Sequence, residues 1–408
     1  MFKRWNDLCL WSDEDLFPAD AVAAEGPFAP LVLLVRRDGM SSRGIWAVRS
    51  LAEVWEVETV RCLTPCVGAE EGELARFIAE NGATVANVSF QRTFEMLPRF
   101  LFPKTHGFRV TLVGLGDVGG TVLTGLKLLG HEIDEIAVYD PNEAMCRRYE
   151  MEMNQVLPEH PGGTVPKVTI CPEERLFDCD LFVFTASRGV PGLNSGVQDV
   201  RLAQFAANRA MLGIYAKKAR EAGFAGLFCQ VSDPVDHLSR EVFLASNRAE
   251  DGSFDFAGLL PEQVQGFGLG VMAARAAYYA EKEGADAQSL RVYGPHGQGL
   301  IIANAACDDY DDELSRRLTD LTRTANLQVR ELGFKPYIAP GLSSAAVSLL
   351  RLVRGEVHYG AVPLGGVYFG CLNRMTAAGV SLCREAICEP LLARLEETHR
   401  TLREFDYT

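Results

Sequence analysis

The chain has 408 residues, enough for two or three domains, each with a real core. Apolar residues make up 48% and charged residues 23%, the balance of a soluble globular protein, and no apolar run approaches the roughly 20 residues of a membrane span. A formal net charge of −14 argues against a nucleic-acid partner or an acidic membrane surface.

Residues 1–25 are mixed and acidic, do not read as a signal peptide, and are expected to form a capping or poorly ordered segment. The pattern then predicts a strand over 31–35, a helix over 44–55, a strand over 58–63, a helix over 71–80 and a strand over 84–90. Such a β-α-β-α-β order suggests a small parallel α/β unit spanning residues 1–105, in which no chemical motif stands out. Pro98, Pro103 and Gly107 read as a linker.

The stretch 108–140 carries the clearest signal. Apolar Val110, Leu112 and Val113 predict a buried strand, followed by Gly114, Gly116 and Gly119 in the spacing G-x-G-x-x-G. Val122, Leu123, Leu126 and Leu129 have helical spacing, and a second strand over 136–139 ends in Asp140. The glycines permit a tight turn and close backbone approach to a pyrophosphate, which the helix N-terminus favours. Asp140 would accept hydrogen bonds from both ribose hydroxyls and repel a 2′-phosphate, which selects NAD over NADP.

Beyond Asp140 the sequence predicts helices over 141–157, 200–222 and 235–245, alternating with strands over 168–171, 180–185 and 226–232. This is the signature of a doubly wound parallel Rossmann sheet over residues 106–246. Residues 247–408 read as an α+β domain. It has helices over 263–283, 311–332 and 341–354, strands over 290–293 and 300–305, antiparallel strands over 357–362, 367–372 and 379–383, and a terminal helix over 389–405. The acidic run over 308–313 reads as a solvated helix start rather than a metal site. Ser343 and Ser344 read as a helix cap. The eleven cysteines include no C-x-x-C pair, so neither a zinc site nor a disulfide framework is expected, and the thiols suit a reducing cytoplasm.

The ordered motifs LVGLGDVGG, YD, DLFVFTASRGVPG, DVRLAQFAANRAML, VSDPVD, an arginine on the next long helix, and GPHGQG resemble the lactate/malate dehydrogenase family over about residues 108–405. The resemblance implies an NAD-binding Rossmann fold, hydride transfer to or from a small 2-keto or 2-hydroxy carboxylate, a cytoplasmic protein and a homo-oligomer, dimer or tetramer. It places Gly114, Gly116, Asp117, Val118, Gly119, Asp140, Thr185, Ala186, Ser187 and Val231 at the dinucleotide. His296 matches the family's general acid/base, and Arg275 the arginine that grips the substrate carboxylate. Arg201 and Arg188 match arginines of the mobile loop over the substrate, and Asn208 an asparagine at the nicotinamide end of the site. His237 follows Asp233-Pro234 by a helical turn and could approach the same pocket.

Two departures stand out. The family's aspartate that orients the histidine is replaced by Met272, and the asparagine of its Asn-Pro pair by Asp233. Three readings follow: Asp233 takes over as the partner of His296, the extra charge selects an amino or imino acid, or the chain is an NAD(H)-binding regulator with impaired chemistry.

Overall fold

The structure is a computed structural model and describes residues 1–66, 71–101, 103–160, 163–188 and 200–407, with the side chains of 200–203 outside the description. The N-terminal segment is ordered. Strands β1 (Phe2–Trp5) and β2 (Leu8–Trp11) form a hairpin, and β3 (Val22–Ala23) pairs with β1. The turn is Asn6-Asp7, with Asn6 at φ 51°, and its turn chemistry is visible in the sequence. Leu8, Cys9 and Leu10 are buried, so the acidic composition of the segment hides a short core strand.

Strand β4 (Leu31–Val35) falls where expected, but Ile45–Val48 is strand β5 rather than helix, and only Ala52–Trp55 turns helical, as α1. The run Ile-Trp-Ala-Val is β-branched and aromatic, and pairing with a neighbouring strand decides its state. Residues Val60–Leu63 form a 3₁₀ turn, capped by Thr59, instead of a strand. Helix α2 (Glu73–Asn81) and strand β6 (Ala83–Asn87) follow, with β6 parallel to β4 and antiparallel to β5. Pro98 lies inside helix α3 (Thr93–Leu101), whose Met96, Leu97, Phe100 and Leu101 are buried, so the first part of the expected linker belongs to the core, while residues 103–106 are exposed and lie outside any helix or strand.

Next come β7 (Phe108–Val113), α4 (Asp117–Leu129), β8 (Ile133–Tyr139), α5 (Glu143–Met153), β9 (Lys167–Ile170), β10 (Leu181–Phe184), α6 (Val200–Glu221), β11 (Leu227–Gln230), α7 (Val235–Ser246) and β12 (Val264–Gly266). They form six parallel strands in the order β9-β8-β7-β10-β11-β12, a Rossmann sheet whose order reverses between β7 and β10. The sixth strand comes from a stretch expected to open a long helix. Val264 and Gln265 pair with β11, Gly266 and Gly268 interrupt the helical pattern, and the helix α8 starts only at Leu269 (Leu269–Lys282).

The remainder comprises β13 (Arg291–Tyr293), β14 (Ile301–Ala303), α9 (Asp312–Glu331), a π-helical segment (Pro340–Val347) running into α10 (Ser348–Val353), β15 (His358–Leu364), β16 (Val367–Thr376), β17 (Gly379–Leu382) and α11 (Glu389–Arg403). Asp311 caps α9 by accepting from the N–H groups of Glu313 and Leu314, as the acidic run suggested. Ser344 caps nothing in its own segment. Its hydroxyl donates to the Gly268 carbonyl (2.7 Å) and accepts from the Val271 N–H (2.9 Å), pinning the start of α8.

Among the described residues fifteen strands form one sheet, with the meander β15-β16-β17 between the Rossmann strands and the N-terminal strands. Each junction is a single paired position: Gly266 with Ala361, and Val380 with Trp46. A buried carboxylate reinforces the second junction. Glu262 accepts hydrogen bonds from the Gly44 and Ile45 N–H groups, all at 3.0 Å. Close by, Arg43 is buried against the Trp46 ring and pairs with Glu58 at 3.2 Å.

Candidate active site

The crevice at the point where the strand order reverses is lined by the turn after β7. Gly114 has φ 93°, and a Cβ there would lie 2.6 Å from the Ala186 backbone. A Cβ on Gly119 would lie 1.8 Å from the Gly114 carbonyl oxygen, so this glycine lets α4 close on the turn. Gly116, at the N-cap of α4, faces open space instead. The three glycines thus divide into two that packing requires and one that keeps a space free at a helix N-terminus.

Asp140 ends β8. One carboxylate oxygen accepts from the Leu115 N–H and the other from the Asn142 N–H, both at 2.9 Å. Each oxygen keeps further acceptor capacity. The Thr185 hydroxyl donates into the turn, 2.6 Å from the Gly114 carbonyl. The Ser232 hydroxyl donates to the Ala186 carbonyl at 2.7 Å, and the Val231 N–H to Phe184 at 3.0 Å, so the loops after β10 and β11 are fixed together. Asp117 is half-exposed and pairs with Lys335 at 2.9 Å, and Val118 packs on the core beneath.

At the far end of the crevice, the first turn of α7 meets the turn after β13. His296 Nδ1 lies 2.7 Å from Asp233 Oδ1, and the His296 backbone N–H donates to Asp236 Oδ2 at 2.8 Å. A carboxylate only accepts, so the ring proton sits on Nδ1. Nε2 is buried and has no hydrogen-bond partner among the described residues. The turn is held by the Gly294 N–H donating to the Gly370 carbonyl in β16 (2.9 Å), and a Cβ on Gly268 would lie 2.7 Å from the His296 Cβ. Burial pulls the His296 pKa down, but the charge and hydrogen bond of Asp233, with Asp236 behind, outweigh it and hold it above the ordinary value. Asp236 itself is pushed up to about 7 by burial, against the pull of the His296 N–H.

Arg275 stands on α8 one helical turn after Met272, its Nη1 3.9 Å from the Met272 sulfur. It forms no ion pair among the described residues, and burial lowers its pKa while Tyr279 and Asp233 oppose the shift. Asn208 is fully buried, and its amide serves the protein: Nδ2 donates to the Asp233 carbonyl (2.8 Å), and Oδ1 accepts from the Arg188 N–H (3.0 Å). It bridges the loops after β10 and β11. Arg188 is exposed, and among the described residues its backbone N–H is its contact to the group. The Arg201 side chain and residues 189–199 lie outside the described residues. The His237 ring lies 4.1 Å from that of Phe405 and near Phe205 and Tyr407. Asp236 is the site residue that sequence reading passed over. Its signal was a second acid three residues after Asp233, in the first turn of a helix.

The strand order, the glycine turn at its switch point and the α+β half behind it define a Rossmann-type α/β protein with a two-part site. No family model matches the chain. An L-lactate dehydrogenase of Treponema denticola is 31% identical over 200 residues, covering 48% of this chain, and the match spans 56% of that enzyme's length. L-lactate dehydrogenase 2 of Staphylococcus aureus is 27% identical over 266 residues, covering 62% of this chain and 77% of the enzyme. Among solved structures, a lactate dehydrogenase from a Medee basin deep-sea metagenome library superposes with TM-score 0.58 at 18% identity, over 73% of this chain and 98% of the other. Malate dehydrogenase from Archaeoglobus fulgidus, in complex with NADH, gives 0.57 at 19% over 72% and 97%. Over part of its length the chain is similar in sequence to L-lactate dehydrogenases, and it shares the fold of lactate and malate dehydrogenases.

Proposed function

We propose that the chain is an NAD-dependent oxidoreductase that moves a hydride between the dinucleotide and a small 2-hydroxy or 2-keto acid. The observation that carries the reading is the 2.7 Å contact between Asp233 and His296, which leaves a buried Nε2 with no hydrogen-bond partner among the described residues. In this reading the carboxylate expected at Met272 has moved to Asp233, and the imidazole remains a poised acid/base. Gly116, the α4 N-terminus with Asp117 and Val118, Asp140, the Thr185–Ser187 loop and Val231 would hold NAD. Bound NAD supplies the hydride acceptor in oxidation, and its reduced form the donor in the reverse direction.

In the oxidative direction, His296 Nε2 takes the proton of the substrate hydroxyl, and Asp233 holds the ring in orientation and stabilises its positive charge. Arg275, without a protein carboxylate among the described residues, binds the substrate carboxylate through its planar fork. The arginine expected at the substrate oxygen would be Arg188, in the loop after β10, or Arg201, in the first turn of α6. An ammonium substrate would need the charge of Asp233, which the imidazole already engages, so the keto-acid reading is favoured over the amino-acid one. The test is NADH turnover by purified protein with a panel of 2-keto acids. Turnover with none of them, or only when ammonia is added, rejects the proposal.

Two variants separate the halves of the site. Gly116→Val is expected to weaken NADH binding by at least about tenfold while the melting curve stays unchanged, because its side chain enters open space. Arg275→Gln is expected to raise the KM for the keto acid by roughly 100-fold and leave NADH affinity alone, since a charge-assisted bidentate contact supplies roughly 1.5–3 kcal/mol. Fluorescence titration with NADH and initial rates read the two effects.

A further inference from the structure

A second cleft, of about 890 Å³, opens where the N-terminal strands meet the hairpin of β16 and β17. Its size is that of a small-molecule site, roughly 300–1,000 Å³. It lies outside the stretch that resembles the dehydrogenases on one wall (β4, β5, β6 and α1) and inside it on the other (β16 and β17). In a chain of net charge −14, its walls carry four arginines, Arg43, Arg49, Arg374 and Arg384, against one carboxylate, Glu53.

The arginines fall into two pairs. Arg43 and Arg384 are anchored: Arg43 pairs with Glu58, and Arg384 pairs with Glu56 and with Glu53 at 3.5 Å. Arg49 and Arg374 are exposed and form no ion pair among the described residues. The Arg49 guanidinium extends over Gly82, 3.7 Å from where a Cβ would stand, and Arg374 reaches in from β16 opposite Ser381. Two unpaired guanidinia in one concave site, with the buried charges behind them already compensated, form a receptor for an anion with more than one charged oxygen group. A planar fork matches phosphate bidentately.

We propose that this cleft binds a small phosphate-bearing polyanion, at a site separate from the dinucleotide crevice. Pyrophosphate is the probe, titrated calorimetrically into the full chain at low salt. The wild type and Gly116→Val are expected to bind it equally, because the phosphate-accepting turn of α4 is not involved. Arg49→Ala/Arg374→Ala is expected to weaken binding by at least about tenfold with an unchanged melting curve, as both side chains are exposed. Arg49→Lys/Arg374→Lys, which keeps the charge but loses the fork, should fall between. No binding by the wild type, or binding that survives in the alanine pair and disappears in Gly116→Val, overturns the proposal.

Discussion

Asp233→Asn is expected to lower kcat by up to roughly 10⁴-fold, the loss seen when a catalytic histidine loses the carboxylate that fixes its tautomer. The asparagine is nearly isosteric and can still reach Nδ1, 2.7 Å from the present oxygen. NADH binding and the melting temperature should therefore change little. The pH profile gives the sharper test. Burial lowers the His296 pKa and the Asp233 charge raises it, so removing the charge leaves burial unopposed except by Asp236. In the reductive direction the protonated imidazole is required, and the alkaline limb of kcat/KM should move to lower pH. In the oxidative direction the neutral imidazole is required, and the acid limb should move to lower pH as well. A fall in rate with both limbs unmoved would make Asp233 a structural residue and reject its pairing role.

That pairing was open to sequence reading because two substitutions pointed the same way. Met272 removed a carboxylate from one wall of the pocket, and Asp233 added one to another. The fingerprint was legible for a related reason: Gly114 and Gly119 stand where a Cβ would strike backbone, and such positions constrain the residue type strongly. The N-terminal unit was harder to read. Ile45–Val48 there, like Val264–Gly266 in the Rossmann sheet, is a short run whose strand state is settled by a partner far away in the sequence, β6 and β11 respectively. Asp236 escaped notice because its value lies in a backbone N–H 60 residues downstream, which no local pattern encodes.

The second large effect is expected at Glu262. Glu262→Ala leaves the buried Gly44 and Ile45 N–H groups without their acceptor, and should cost roughly 2–5 kcal/mol in denaturant unfolding. Its pH behaviour has a definite sign. Burial pushes the Glu262 carboxyl up to about 7, against the pull of those N–H groups and of Arg43. The folded state thus holds this proton more tightly than the unfolded chain does. The stabilising contribution is complete below about pH 4.5 and declines as pH rises towards 7. Glu262→Gln keeps an acceptor and removes the titration. It should gain stability relative to wild type between pH 5 and 8, by up to about 3 kcal/mol. Asp236, displaced in the same direction, leaves part of the slope in place. A wild type and Gln variant with parallel stability curves would show that Glu262 stays ionised throughout.

The single-position junctions of the sheet bear on how such a chain avoids self-association. Every open sheet ends in two strands with unpaired backbone groups, which are templates for another chain. Here the outermost strands are short, β3 with two residues and β9 with four. The Rossmann strands, the meander and the N-terminal strands would each need two protected borders if they stood alone. Joined at Gly266–Ala361 and Val380–Trp46, they leave two between them. The N-terminal strands thus act as the cover for β17, and a chain trimmed to begin at the glycine fingerprint would present that strand bare to its neighbours in solution.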